Sequence, residues 1–328
     1  MPRLIAFLCV LLAACSPPPP VQQQSYVFGT LVEVSVVDAP EAAAQAAIAA
    51  VLAHFDQLHR QLHAWQPSEL SRLNAALAQG KPATVTPELA AMLEDAQRLA
   101  AQSQELFDPA IGGLIALWGF HADTPQGRVP DAGAIADWVH RQPRMADLVI
   151  RGNTVSSANP AVQLDLGGYA KGRALDDAVA ILRQHGIRNA LVNIGGNVIA
   201  LGRHGDRAWR VGIQHPRKPG TLATLDLADG EAIGTSGDYQ RYFEAGGKRY
   251  SHLIDPRTGY PAAGMQSVTI LVAGAHAGTR SDALSKPLFI GGPAGLADTA
   301  SRLGIADWLA VDAAGRRLVS PAMQARLR

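Results

Sequence analysis

The stretch Ser251-His252-Leu253-Ile254-Asp255-Pro256-Arg257-Thr258-Gly259-Tyr260-Pro261 gathers an imidazole, a carboxylate and a guanidinium into one short segment. Two prolines stiffen it, and Asp-Pro and Thr-Gly mark turns. Such an array supplies fixed hydrogen-bond donors and a proton carrier, with His252 as the candidate base. Alone, the segment reads equally well as a surface turn. A second segment, Asp165-Leu166-Gly167-Gly168-Tyr169-Ala170-Lys171-Gly172-Arg173, runs a glycine-rich turn into a helix start beside two cations. Free N–H groups and cations together suit a phosphate or diphosphate. Its spacing is neither that of a Walker A loop nor that of a dinucleotide fingerprint. A third, Ser281-Asp282-Ala283-Leu284-Ser285-Lys286-Pro287, puts Asp282 and Lys286 on one helical face. Pro287 has no N–H to give Ala283, so an acceptor is freed on that turn. Phe107-Asp108-Pro109-Ala110-Ile111-Gly112-Gly113 lets backbone approach a ligand closely, and Trp65 offers a platform for a planar ring. The combined inventory suits a nucleotide-like ligand with a ring and a diphosphate, without naming the nucleotide.

The elements that position these groups are legible as patterns. Residues 28–37 alternate, with Val32, Val34 and Val36 on one face and Glu33 and Ser35 on the other, as in a half-buried strand. Residues 41–62 carry Ile48, Val51, Leu52, Phe55, Leu58 and Leu62 at helical spacing. Thr86-Pro87-Glu88 opens a helix running to about residue 102. A further helix is expected over 170–185, stopped by Gly186. Strands are expected at 190–194, 209–213, 221–227, 248–253 and 267–272, and a last helix over 275–289. Helices early and strands late predict an α+β fold, with mixed or antiparallel sheets packed against helices. Residues 107–160, rich in Pro and Gly, are expected to form a smaller inserted subdomain.

The 328 residues are 48% hydrophobic with a net charge of +1, which leaves no electrostatic footprint for nucleic acid. Arg3 and the apolar run 4–12 read as a signal peptide over 1–14, too short to span a bilayer. Leu12-Ala13-Ala14-Cys15 has the small residues of a lipoprotein cleavage site, with lipid carried by Cys15. Residues 15–25, with Pro17 to Pro20 and a glutamine run, read as a tether before a body at 26–328. The other cysteine, Cys9, lies in the discarded segment, so the body holds no thiol. Disulfides, thiolate metal sites and cysteine nucleophiles are thereby excluded.

The chain resembles the ApbE family of FAD:protein FMN transferases. The resemblance rests on markers in the family's order: Gly29-Thr30, Pro67-Ser68-Glu69-Leu70-Ser71-Arg72-Leu73-Asn74, Phe107-Asp108-Pro109, Leu117-Trp118-Gly119-Phe120, Asp165-Leu166-Gly167-Gly168 with Lys171-Gly172, Asn193-Ile194-Gly195-Gly196, Thr235-Ser236-Gly237-Asp238-Tyr239, His252 to Pro261, and Asp282-Ala283-Leu284-Ser285. It implies an ApbE-type, T-fold-like core and transfer of FMN from FAD to a threonine of an acceptor protein, with release of AMP. It also implies His252 and Asp282 as catalytic residues and magnesium held by Asp282 and the carbonyl of Ala170. Asp165, Gly167, Lys171 and Arg173 would line the FAD diphosphate or ribose. Trp65, Ala110, Ile111 and Gly112 would hold the rings, and Ile254 would complete the FAD site. The acceptor would be a subunit of a membrane redox pump or an extracytoplasmic flavoprotein, met at the periplasmic face of the inner membrane. Hydrolysis of FAD to FMN and AMP, and flavin binding without catalysis, remain as alternatives.

One departure matters. The family usually has a threonine at the metal site where this chain has Lys286, so an ammonium there opposes a divalent ion or stands in for it. Two unit charges 4 Å apart interact by about 4 kcal/mol at an effective dielectric near 20, and a divalent ion would feel about twice that. Asn197 and Gly113 also stand where an aspartate and a proline are usual.

Overall fold

The computed structural model describes residues 19–122 and 127–328. The signal peptide and Cys15 lie outside the described residues. The chain opens with a hairpin, β1 (Val21–Val27) and β2 (Thr30–Val36), closed by Phe28 and Gly29. Both turn residues have positive φ, 56° and 69°, which matches the twist of the flanking strands. The strand β1 corrects the expected tether, which ran to residue 25. Its polar residues alternate about a strand that pairs along its whole length with β2, and Gln24 donates to Glu33 at 2.6 Å.

Helix α1 (Glu41–Gln61) buries Ile48, Val51, Phe55 and Leu58 on one face. Helix α2 (Glu69–Ala78) starts at a reciprocal cap between Ser68 and Ser71. A short strand β3 (Ala83–Thr84) leads to α3 (Pro87–Gln102), where the Thr86 hydroxyl accepts from Leu89 N–H and proline occupies the first turn. Then come α4 (Gly112–Leu117), α5 (Ala132–Arg141), the strands β4 (Leu148–Arg151) and β5 (Thr154–Ser157), and α6 (Ala170–Gln184). The second half runs through β6 (Ala190–Ile194), β7 (Asn197–Leu201), β8 (Trp209–Gln214), β9 (Thr221–Leu227), β10 (Glu231–Gly237), β11 (Tyr242–Ala245), β12 (Lys248–Ser251) and β13 (Met265–Ala273). It ends with α7 (Ala277–Ile290), α8 (Gly292–Arg302), β14 (Asp307–Asp312), β15 (Arg317–Val319) and α9 (Pro321–Arg326).

The main sheet has the order β1-β2-β6-β7-β10-β13-β14-β15, and every neighbouring pair is antiparallel. It is covered on both faces, which its strands record at a period of two. On β7, Ile199 and Leu201 face the core built with α1, α3, α6 and α7, while Val198 and Ala200 face a second core under the β8–β9 hairpin and α9. On β10 and β13, Ala232 and Ile270 face the first, Ile233 and Leu271 the second. The fold is therefore α+β with antiparallel sheets, as expected.

Residues 107–160 do not enclose a core of their own. Phe107, Ala110, Met145, Leu148 and Val155 belong to the main core. Ile111, Leu114, Trp118, Phe120 and Ile135 build a satellite core with Phe243 and Ile254 from the β11–β12 region. The expected inserted unit is thus divided between two clusters. Gly259 sits against that satellite at φ 74°; a Cβ there would lie 2.6 Å from Ile135 Cγ2, and its carbonyl accepts from Trp118 Nε1 at 2.8 Å.

Two helices set the floor of the site. Helices α6 and α7 cross where Gly172 meets Gly278; a Cβ on Gly172 would stand 2.4 Å from the Gly278 carbonyl and 2.6 Å from Asp282 Cβ. Asp176 of α6 caps α7, accepting from Gly278 N–H and Thr279 N–H, both at 2.8 Å, and from the Thr279 hydroxyl at 2.6 Å. This crossing brings Asp282 onto the first turn of α6.

Candidate active site

A cleft opens between the Phe28–Gly29 turn, the end of α1, the 107–111 and 165–171 segments, the end of β10 and the residues after β12. Main-chain bonds zip the two glycine-bearing segments together. Gln163 N–H donates to Ala110 O at 3.2 Å, Gly112 N–H to Gln163 O at 2.7 Å, and Asp165 N–H to Pro109 O at 2.8 Å. Ala110 and Gly112 are consumed in this seam, behind the wall, whereas Ile111 faces the cleft. Asp108 anchors the same seam by accepting from Ala110 N–H at 2.9 Å and Met145 N–H at 3.1 Å. Burial pushes its carboxyl up to about 7, against those hydrogen bonds.

The polar end of the cleft is cationic. Lys171, Arg241 and Lys286 all line it. Burial draws the Lys171 ammonium below its ordinary pKa, with Asp282 opposing and Lys286 and Arg241 reinforcing. Among the described residues Arg241 is held by main-chain carbonyls, donating to Phe120 O at 2.7 Å and Ala122 O at 3.1 Å. Lys286 Nζ donates to Asp282 Oδ1 at 2.7 Å and to the Asp282 carbonyl at 2.8 Å. The other oxygen of Asp282 accepts from Gly172 N–H at 2.9 Å. Burial pushes the Asp282 carboxyl up, but Lys286 and Lys171 together hold it below the ordinary carboxylate range. Asp165, capping Gly167 N–H at 2.8 Å, is shifted up by burial. Lys171, Arg241 and Lys286 share the cleft with Asp108 and Asp165, while the ionised Asp282 stands behind Lys286, so three basic side chains aim N–H donors at a ligand there, which suits a polyanion.

His252 stands in the same wall, edge-on to Phe120 with ring centroids 6.4 Å apart. Its Nδ1 lies 3.1 Å from the Arg241 carbonyl. A carbonyl only accepts, so Nδ1 carries the proton and Nε2 keeps its lone pair. Burial, helped by Arg241 and Lys171, pulls the pKa of His252 down to about 3, so the ring is neutral in the cell's pH range. The opening turn is thereby divided. His252 and Ile254 face the cleft, while Asp255 and Arg257 satisfy each other outside it: Arg257 donates to Asp255 from Nε at 2.9 Å and Nη2 at 2.7 Å. The expected His-Asp-Arg array is one histidine plus a locally closed ion pair.

Aromatic rings line the other end. Phe28 and His59 lie 5.6 Å apart, His59 and His63 5.3 Å, and His63 and Trp65 4.9 Å. Trp65, 38% exposed, stands at the mouth. Of the other expected site residues, Asp165, Gly167 and Ala170 line the cleft, and Asp282 stands behind Lys286. Arg173 does not reach it. Its Nε donates to Asp177 at 2.8 Å, and Asp177 meets His54 Nε2 at 3.0 Å, tying α6 to α1. The sequence reading missed Arg241, although it follows the Thr235-to-Tyr239 marker by two residues. An arginine after a tyrosine and a glutamine has no pattern of its own.

The ApbE family matches the chain over residues 28–309. The chain belongs to the ApbE family. A FAD:protein FMN transferase of Rhodobacter capsulatus is 47% identical over 95% of this chain and 59% of its own length, so this chain spans about three fifths of that relative. A FAD:protein FMN transferase of Treponema pallidum is 35% identical over 88% of this chain and 84% of its own length. The crystal structure of an ApbE protein of Thermotoga maritima superposes with a TM-score of 0.85 at 29% identity, covering 94% of this chain and 99% of the other. In ApbE terms, the α6–α7 crossing and the β10 end form the cationic half of the cleft, and the Phe28-to-Trp65 rings form the apolar half.

The magnesium that the resemblance implies does not fit the donors present. Lys286 Nζ occupies both Asp282 Oδ1 and the Asp282 carbonyl, and Gly172 N–H holds Oδ2. Lys171 adds a second ammonium facing that carboxylate, and among the described residues no three His, Cys, Asp or Glu side chains come together as a metal site. A divalent cation there would meet ammonium groups rather than free oxygen ligands.

Proposed function

We propose that the protein transfers FMN from FAD to a hydroxyl of an acceptor flavoprotein and releases AMP. One observation carries this: Lys171, Arg241 and Lys286 converge on the cleft whose wall holds a neutral His252 with Nε2 unprotonated. The cations take the diphosphate and spread the charge that develops on its oxygens. The acceptor hydroxyl attacks the FMN phosphorus and His252 Nε2 removes its proton. A new P–O bond forms, the bridging P–O bond breaks, and AMP leaves with the bonding pair. The imidazolium then returns its proton to solvent or to the AMP phosphate. Trp65, Ile111 and Phe28 shield the ring end from water. No step is routed through a metal.

The acceptor residue is a threonine in a short surface motif of a membrane redox-pump subunit or an extracytoplasmic flavoprotein. The enzyme is a periplasmic lipoprotein, anchored to the inner membrane by lipid on Cys15 after its signal peptide is cleaved. Support for this location comes from Leu12-Ala13-Ala14-Cys15 and the apolar run before it.

Mass spectrometry of a candidate acceptor incubated with the purified protein and FAD tests the reading. FMN added to one threonine, with one AMP per modified chain, is the expected result. AMP released from FAD with no flavin on any acceptor would replace transfer by hydrolysis.

A further inference from the structure

We propose that the Lys286 ammonium takes the place of a divalent cation at the FAD diphosphate, making substrate binding and transfer independent of magnesium. The inference rests on the FAD reading above and assigns the charge that this site uses. Lys286 is placed as a bound ion would be. Two of its N–H groups are spent on Asp282 Oδ1 at 2.7 Å and the Asp282 carbonyl at 2.8 Å, which leaves the third for a ligand in the cleft it lines. Its side chain is 15% exposed. Gly168 makes room for it, since a Cβ there would stand 2.7 Å from Lys286 Cε. The Asp282 carbonyl is further fixed by the Ser285 hydroxyl at 2.8 Å, and Ser285 by Ser236 at 2.8 Å. Asp282 thus serves as the counter-charge that orients an ammonium, and the cation is part of the chain.

Binding of FAD to the purified protein, read by flavin fluorescence in EDTA and again with millimolar magnesium, tests this without relying on turnover. The expected result is a dissociation constant that differs less than about twofold between the two buffers. A Lys286→Thr variant is expected to bind FAD at least about tenfold more weakly in EDTA and to recover when magnesium is added. Lys286→Met should bind weakly in both buffers. Tenfold tighter binding by the native protein with magnesium would overturn the inference, as would a Lys286→Thr variant that binds normally in EDTA. The native comparison decides even if a variant fails to fold. Magnesium-independent binding without FMN transfer to any acceptor would refute the transferase reading and uphold the role of Lys286 in binding; transfer that stops in EDTA and returns with magnesium would do the reverse.

Discussion

His252 shows how a residue acquires a role from its surroundings. A histidine in water is half-protonated near pH 6.5. Here burial and the Arg241, Lys171 and Lys286 charges push its pKa to about 3, and the Arg241 carbonyl selects the tautomer. Replacing His252 by Gln should lower the transfer rate at saturating FAD by roughly 10²–10⁴-fold while leaving FAD affinity within a few-fold. Stopped-flow transfer and flavin fluorescence measure the two separately. Because kcat/KM reports groups of the free enzyme, its profile for FAD should show no acid limb near pH 6.5. A limb centred there would mean that His252 titrates normally.

The same burial has a consequence for stability. The unfolded chain protonates His252 below about pH 6.5, whereas the folded chain does so only near 3. Its contribution is therefore present above 6.5 and is lost as pH falls toward 3. Asp108, raised to about 7, works in the opposite sense, favouring the fold at low pH and losing that contribution as pH rises through 7. Thermal unfolding should show His252→Gln gaining on the native protein between pH 7 and pH 5.

At the scale of elements, the α6–α7 crossing decides where Asp282 and Lys286 stand. Gly172→Ala would drive a methyl to 2.4 Å from the Gly278 carbonyl, which is backbone and cannot turn aside. Loss of about 1–3 kcal/mol of stability is expected, read by urea unfolding. Gly168→Ala meets instead the flexible end of Lys286 at 2.7 Å. It should leave the unfolding midpoint almost unchanged yet weaken FAD binding, because the displaced part is the ammonium. Equal effects of the two alanines on stability and binding would contradict this division.

These elements were unevenly legible. Helix α3 announced itself through Thr86 and Pro87, and β6 through a short, mostly apolar run after the turn at Gly186. Strand β1 was hidden because Gln22, Gln23 and Gln24 carry no hydrophobic alternation, and only pairing with β2 makes them a strand. Strand β10 was hidden for a related reason: Gly234 lies against the Ser281 carbonyl, so the strand gives up a side chain to let α7 approach.

For the whole molecule, the two-sided antiparallel sheet makes the cleft a junction of distant segments. Among the described residues no helix is long and apolar enough to cross a membrane. If lipid on Cys15 is the anchor, as proposed, Cys15→Ser should move the protein from the membrane fraction to the soluble fraction with FMN transfer in detergent-free buffer unchanged. Fractionation and immunoblotting check this, and a variant that stays with the membrane would rule out lipid on Cys15 as the anchor.

By itself, the sequence determined what depends on neighbours along the chain. Asp282 and Lys286 share a helical face because they are four residues apart, and the glycine turn before Lys171 feeds a helix start because of its local composition. It also carried enough ordered markers for the family. The tertiary structure alone decided which charges meet. It brought Arg241 to the cleft, sent Arg173 to Asp177, closed Asp255 on Arg257, and laid Lys286 across Asp282 where a metal was expected. Those outcomes follow from sheet register and the Gly172–Gly278 crossing, which fix side-chain distances between residues far apart in the chain, and no local pattern of residue types encodes such distances.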